Sequence, residues 1–171
     1  HWLEQLHNEV PDVRLLAAFA LGDMWNRDEK VEAALIEVLT DRKENVRVQR
    51  AAAISIGKVA RSQRAAEALL DAFIHNRLLD REYIREAIQY SLVQLGEPAV
   101  APLVAALQSK ETDGFFPVRR IAAIALAEIK APDAVEALRK VMKDKDIEVR
   151  LAAAIAVGWA GDIRAIDMLI D

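Results

Sequence analysis

Apolar residues recur at spacings of three and four along nearly the whole chain, which is the period of an amphipathic helix. The clearest stripe is Val13, Ala17, Leu21 and Met24, most of it within the string VRLLAAFALG (Val13–Gly22). That string returns as VRRIAAIALA (Val118–Ala127) and VRLAAAIAVG (Val149–Gly158), with looser copies VQRAAAISIG (Val48–Gly57) and IREAIQYSLV (Ile84–Val93). The second residues of the five copies, Arg14, Gln49, Arg85, Arg119 and Arg150, follow one another at 35, 36, 34 and 31 residues. A period of that size predicts a stack of two-helix units rather than one closed domain. Each copy leads through a turn into a second apolar-periodic run: Val31–Leu39, Ala65–Phe73, Ala99–Leu107, Ala134–Met142 and Ile163–Ile170. Asp28, Ser62 and Asp133 stand near the starts of three of these runs as caps, and Pro98 and Pro132 suit first-turn positions. No stretch alternates with the period of two that strands need, so the chain reads as all-helical.

The second copy offers two registers. The Asp41-to-Arg47 spacing matches Asp144-to-Arg150 and Asp113-to-Arg119, but aligning on Arg47 turns Arg50 inward. Aligning on Val48 buries Val48, Ala52, Ile56 and Val59 instead. An unpaired buried arginine costs several kcal/mol by order of magnitude, so packing decides for Val48. Alanine fills the inner positions of the first helices (Ala17, Ala18 and Ala20; Ala122, Ala123 and Ala125; Ala152 to Ala154 and Ala156), and its small side chain lets neighbouring helices approach closely.

The V-R-x-x-A-A-x-A-L-G core, the A-V-E-A-L run and the D-x-x-x-x-V-R junction resemble HEAT repeats, most of all the short subclass first noted in phycobilisome lyases. The resemblance covers nearly the whole chain and implies an all-α fold, a right-handed α-solenoid of about five two-helix HEAT-like repeats, with second helices lining the concave side. The expected organisation is a single array over residues 1–171. Its repeats run over roughly 8–41, 42–77, 78–110, 111–144 and a partial 145–171, and residues 1–7 form the tail of a preceding helix. Neither end carries a polar capping face, so we expect a piece of a longer array or self-association through open array ends. Function does not follow from the fold, because this repeat serves scaffolds, chaperone-like factors and a few enzymes.

Composition removes several classes. Hydrophobic residues make up 53% of the chain and glycine and proline are few, which is wrong for a disordered or fibrous protein. There is no cysteine, so thiolate catalysis, iron–sulfur clusters and cysteine zinc sites are out, and a reducing, cytoplasmic location fits. No apolar stretch approaches the roughly 18 residues of a membrane span, and the first ten residues show no signal-peptide pattern. With 23 basic and 27 acidic residues the net charge is −4, which disfavours bulk affinity for nucleic acid or acidic lipid.

Chemistry-bearing constellations are sparse. His1, His7 and His75 fall on two repeats and are followed by Trp2, Asn8 and Asn76, so the His-Glu pairs of a di-iron HEAT-repeat hydroxylase have no counterpart. No metal site is expected. Ser55 and Ser91 replace core alanines, no nucleophile elbow or phosphate-binding glycine motif occurs, and neither catalytic residues nor a cofactor are expected. A basic cluster (Arg42, Lys43, Arg47, Arg50, Lys58, Arg61 and Arg64) reads as a solvated convex face rather than a nucleic-acid track, which needs continuity and stacking aromatics.

The surfaces point instead to a protein partner. With the central leucines Leu35, Leu69, Leu103 and Leu138 inward, helical phase turns Glu37, Glu67, Asp71, Ala101, Ala105, Gln108, Lys140 and Lys143 away from the core. This predicts a concave groove that is acidic over its first repeats, small and apolar at Ala101 and Ala105, and basic at Lys140 and Lys143. Phe19, Ile54, Tyr90, Ile124 and Ile155 occupy one convex position in all five copies; they are either covered by adjacent first helices or form an apolar ridge. In the insertion ETDGFFP (Glu111–Pro117), Phe115 and Phe116 either cover a repeat junction or project as a loop anchor. The expected function is a non-catalytic interaction scaffold holding a partner segment in the groove. The alternatives are a lyase-like or chaperone factor for a chromophore-bearing protein, then a nucleic-acid binder.

Overall fold

A computed structural model describes residues 1–24, 28–75, 82–109 and 116–159 of the chain, with the side chains of Glu82, Phe116 and Pro117 outside the description. The protein is all-α, an α-solenoid packing of two-helix repeats. Ten α-helices occur among the described residues: α1 (Trp2–Gln5), α2 (Pro11–Asp23), α3 (Glu29–Thr40), α4 (Val46–Val59), α5 (Gln63–His75), α6 (Glu82–Leu95), α7 (Glu97–Gln108), α8 (Phe116–Ile129), α9 (Val135–Val141) and α10 (Ile147–Trp159). The chain divides into two compact units, His1–Ala99 and Val100–Asp171.

In the first unit the first helices stack on one another, α2 on α4 and α4 on α6, while the second helices α3 and α5 pack side by side. In the second unit α8 stacks on α10, and α9 packs against α10. The Val48 register holds: Val48, Ala52, Ile56 and Val59 are buried, and Arg50 is exposed. Gln49 therefore turns inward at the second position, where its side-chain Nε2 donates to the Asp41 carbonyl at 2.6 Å.

The close packing rests on small residues at a fixed register. A Cβ built on Gly22 meets Ser55 Cβ at 2.7 Å, and one on Gly57 meets Ser91 Cα at 2.8 Å. The tenth residue of one copy thus lies against the eighth residue of the next, twice in succession. Ser55 Oγ donates to the Ala18 carbonyl at 2.8 Å, across the α2–α4 contact, and Ser91 Oγ donates to the Ala87 carbonyl of its own helix at 2.7 Å. Both hydroxyls are fully buried and hydrogen-bonded, so neither leaves an unpaired polar group in the seam.

Helix ends follow local chemistry with one correction. The Asp28 carboxylate accepts from the Lys30 N–H at 2.9 Å and Ser62 Oγ accepts from the Ala65 N–H at 3.2 Å, so both cap as expected. Asp133 does not cap. Pro132 opens a short 3-10 turn, Pro132–Ala134, ahead of α9; its flanking residue is Ala131, and Asp133 lies inside the turn without a capping bond. Proline sets the backbone angle of the first turn, which moves the helix start past the aspartate. Asn45, not anticipated, caps α4 by accepting from the Arg47 N–H at 2.9 Å. Gly96 turns the chain between α6 and α7 at φ +68°, and Lys130 does the same after α8 at φ 57° without glycine's freedom.

Candidate partner-binding surfaces

The second helices bury their central leucines and turn the candidate residues outward. Leu35, Leu69, Leu103 and Leu138 are buried, and all eight candidates on the opposite side are exposed. In the first unit, Glu37 lies on α3 and Glu67 and Asp71 on α5, the two helices that pack side by side. The Glu37 carboxylate has no partner among the described residues. Glu67 accepts from Gln63 Nε2 at 2.8 Å, and Asp71 Oδ1 lies 3.2 Å from His75 Nδ1. This is an acidic face held on rigid elements and weakly neutralised. In the second unit, Ala101, Ala105 and Gln108 are exposed on α7, with Lys140 on α9 and Lys143 just beyond it. Phe115 lies outside the described residues, as does the side chain of Phe116, whose backbone opens α8.

The convex positions divide. Phe19, Ile54 and Ile124 are half-buried, whereas Tyr90 and Ile155 are exposed. The basic cluster is partly neutralised by the preceding copy: Lys58 Nζ lies 2.6 Å from Asp23 Oδ1, and Arg47 Nη1 lies 3.4 Å from Asp12 Oδ1. Arg61 turns its guanidinium onto the carbonyls of Ala60 and Lys58. The partners of Arg47 and Lys58 lie 35 residues away, so the linear sequence shows only an excess of positive charge.

Sequence reasoning missed a second-position arginine clamp. Arg14 Nη1 donates to the carbonyls of Asn8 and Glu9 at 2.7 and 3.0 Å, while its Nε and Nη2 donate to the Glu44 carboxylate of the next copy, both at 2.7 Å. Arg119 repeats the fork on Asp144 at 2.8 and 3.1 Å, with side chains only 5% and 9% exposed. Arg150 repeats the inner half, donating through Nη1 to the carbonyls of Asp144 and Lys145 at 2.8 and 3.1 Å. At the last junction the aspartate of D-x-x-x-x-V-R, Asp144, thus pairs with the arginine of the preceding copy, whereas at the second Glu44 takes that place and the Asp41 carboxylate accepts from the Lys43 N–H. The signal was present as an arginine at position two followed by an acid 25 or 30 residues on.

Electrostatics agree with the geometry. Burial alone pushes the Asp144 carboxyl up, but the hydrogen bonds from Arg119 and the Asp146 N–H, with the charges of Arg119 and Arg150, hold it below its usual range. The Arg14 guanidinium is held above its ordinary value, first by its hydrogen bonds to Glu44 and, against desolvation, by the charges of Glu44 and Asp41. These pairs join copies. Among the described residues no group of three or more His, Asp or Glu side chains could hold a metal ion, and no helix is long and apolar enough to cross a membrane.

Stacked two-helix repeats with an alanine-rich seam and exposed second-helix faces define a helical-repeat protein. A sequence model of HEAT repeats matches residues 1–82 and 101–171, and the chain belongs to the HEAT-repeat family. Among solved structures it is similar to the complex of CpcE and CpcF of phycocyanin lyase from Nostoc sp. PCC7120, at 22% identity and a TM-score of 0.57 over 99% of this chain and 67% of that one. It is also similar to an engineered protein, at 20% identity and a TM-score of 0.56 over 99% of this chain and 83% of that one. At such identities the likeness is one of fold. Among curated proteins none matches the chain in sequence.

Proposed function

We propose that the chain is a non-catalytic interaction scaffold that binds a basic, extended or helical segment of a partner protein on the second-helix faces. The observation that carries the reading is the acidic face of the first unit: Glu37, Glu67 and Asp71 are exposed on the adjacent helices α3 and α5, and Glu37 is without a partner among the described residues. Carboxylates carried on packed helices keep their backbone positions and steer a cationic segment during encounter. In the second unit, Ala101, Ala105 and Gln108 offer a small, flat surface for apolar side chains, and Lys140 and Lys143 favour an acidic stretch. The test is a display library of basic and neutral peptides, read against the parent chain and a Glu37→Lys, Glu67→Lys, Asp71→Lys variant. Binders rich in lysine and arginine, lost on charge reversal and weakened by salt, support the reading. Binders indifferent to the variant refute it.

A second reading is a factor acting on a chromophore-bearing protein, favoured by the fold shared with the CpcE and CpcF subunits of phycocyanin lyase. Its test is direct: transfer of a bilin to an apo-phycobiliprotein in the presence of the chain, against a blank without it.

A further inference from the structure

The outward face of α3 and α5 carries a basic row as well as an acidic one. Lys30 and Arg64 are each the second residue of their helix, and Glu37 and Asp71 are each the ninth. An interval of seven is two helical turns, so within each helix the base and the acid stand on one face about 10.5 Å apart. All four side chains are exposed, and those of Lys30, Arg64 and Glu37 have no partner among the described residues. The two helices run the same way. Glu32, in the first turn of α3, accepts from the Arg61 N–H at 3.1 Å and from the Ser62 hydroxyl just ahead of α5. Arg42, just past the end of α3, meets His75 Nε2 at the end of α5 at 2.5 Å. Lys30 therefore lines up with Arg64, and Glu37 with Asp71. Between the two rows lie Ala33 and Ala34 on α3, and Glu67 and Ala68 on α5.

This order opposes the helices that carry it. A helix N-terminus bears partial positive charge and a C-terminus partial negative charge, so bases early and acids late are unfavourable to the helix itself. α9, taken by itself, keeps the favourable order, with Glu136 in its first turn and Arg139 and Lys140 in its last. In contrast, α5 has no acid in its first turn and α3 no base in its last. Glu29 and Glu32 do stand in the first turn of α3, but Glu32 is taken up by Arg61 and Ser62. Glu29 lies about 100° round the helix from Lys30. A third helix lying antiparallel to the pair compensates the order: its positive N-terminal end falls over Glu37 and Asp71, and its negative C-terminal end over Lys30 and Arg64.

We propose, resting on the acidic-face reading above, that the partner segment is a helix of bipolar charge. It carries lysine or arginine in its first half and aspartate or glutamate seven residues later, and it lies along α3 and α5, antiparallel to both. The interval of seven is then shared by all three helices, which keeps the charge rows in register over two turns. An extended segment would need its opposite charges about three residues apart and would gain nothing from the helix ends.

Fluorescence anisotropy on the full chain tests this with three stapled helical peptides of blocked termini: one with bases first and acids seven residues later, one with that order reversed, and one basic throughout. The bases-first peptide should bind about threefold tighter than the reversed one, or better, because both of its ends meet favourable helix ends. Lys30→Glu with Arg64→Glu should weaken the bases-first peptide about tenfold and strengthen the basic one. Reversing the charge of Lys30, Glu37, Arg64 and Asp71 together should leave the melting temperature no lower than the parent's, since each charge then suits its own helix. Equal binding of the bases-first and reversed peptides overturns the proposal. So does a lower melting temperature of the fourfold variant, which would mean that the rows serve folding. If the basic peptide still binds in that case, and is lost on reversal of Glu37, Glu67 and Asp71, the acidic-face reading survives; if no peptide binds, both fall.

Discussion

The same substitution, glycine to alanine, should have opposite signs in two copies of one motif. On helix propensity alone, alanine gains about 0.5–1 kcal/mol over glycine in a helix interior. At Gly57 the new methyl lies 2.8 Å from Ser91 Cα and 2.9 Å from Ser91 Cβ, well inside van der Waals contact. The first of these atoms is backbone, so rotating a side chain gives no relief; α4 and α6 must part by several tenths of an ångström. Overpacking of this kind costs about 1–3 kcal/mol, and it also loosens the buried neighbours Ala53, Ile56 and Leu92. The net expectation for Gly57→Ala is a loss of about 1–2 kcal/mol. Gly158 has no such neighbour among the described residues, but it sits in the last turn of α10, where propensity counts for less. Gly158→Ala should therefore gain about 0.5 kcal/mol. Urea unfolding followed by circular dichroism, at concentrations low enough to exclude association, measures both. Hydrogen exchange of the α4 and α10 amides locates the change, because a repeat stack need not unfold in one step. If Gly57→Ala stabilises as much as Gly158→Ala, the glycine–serine contact is not made and the tenth-to-eighth stacking register is wrong.

Asp144→Ala should cost about 3–5 kcal/mol, because it leaves Arg119 buried without its carboxylate, whereas Arg47→Ala at an exposed pair should cost less than about 1 kcal/mol; thermal unfolding separates them. The Asp144 carboxyl titrates below its ordinary 3.8 in the folded chain, so its contribution is present above that value and is lost as pH falls through the lower folded one. Asp144→Asn should accordingly flatten that part of the acid-unfolding curve, and an unchanged curve would count against the pair. Lys130→Gly should gain up to about 1 kcal/mol, since Lys130 holds φ 57° where glycine is unstrained, while Gly96→Ala at φ +68° should cost a similar amount; differential scanning calorimetry reads both. Charge reversal at Glu37 and Asp71 should leave stability within about 0.5 kcal/mol, as exposed sites do, while slowing association with a basic peptide and reducing its salt dependence in stopped-flow measurements.

The sequence alone determined the repeat, the all-helical class, the leucine phase of the second helices and the Val48 register, because each rests on spacings of three or four residues and on the cost of burying charge. It placed Glu37, Glu67, Asp71, Ala101, Ala105, Gln108, Lys140 and Lys143 at exposed positions by the same arithmetic. Asp133 failed as a cap because a proline beside it reset the first turn, a local competition that periodicity does not register. What lay beyond reach was every relation between copies. The Arg14–Glu44 and Arg119–Asp144 forks, the neutralisation of Arg47 and Lys58 by Asp12 and Asp23, and the seating of serine on glycine all join residues 25 to 37 positions apart. Their existence depends on how far one repeat slides and turns on the next. That rigid-body register is set by the sum of many small packing contacts along the alanine seam, so only the tertiary structure could decide which acid meets which arginine.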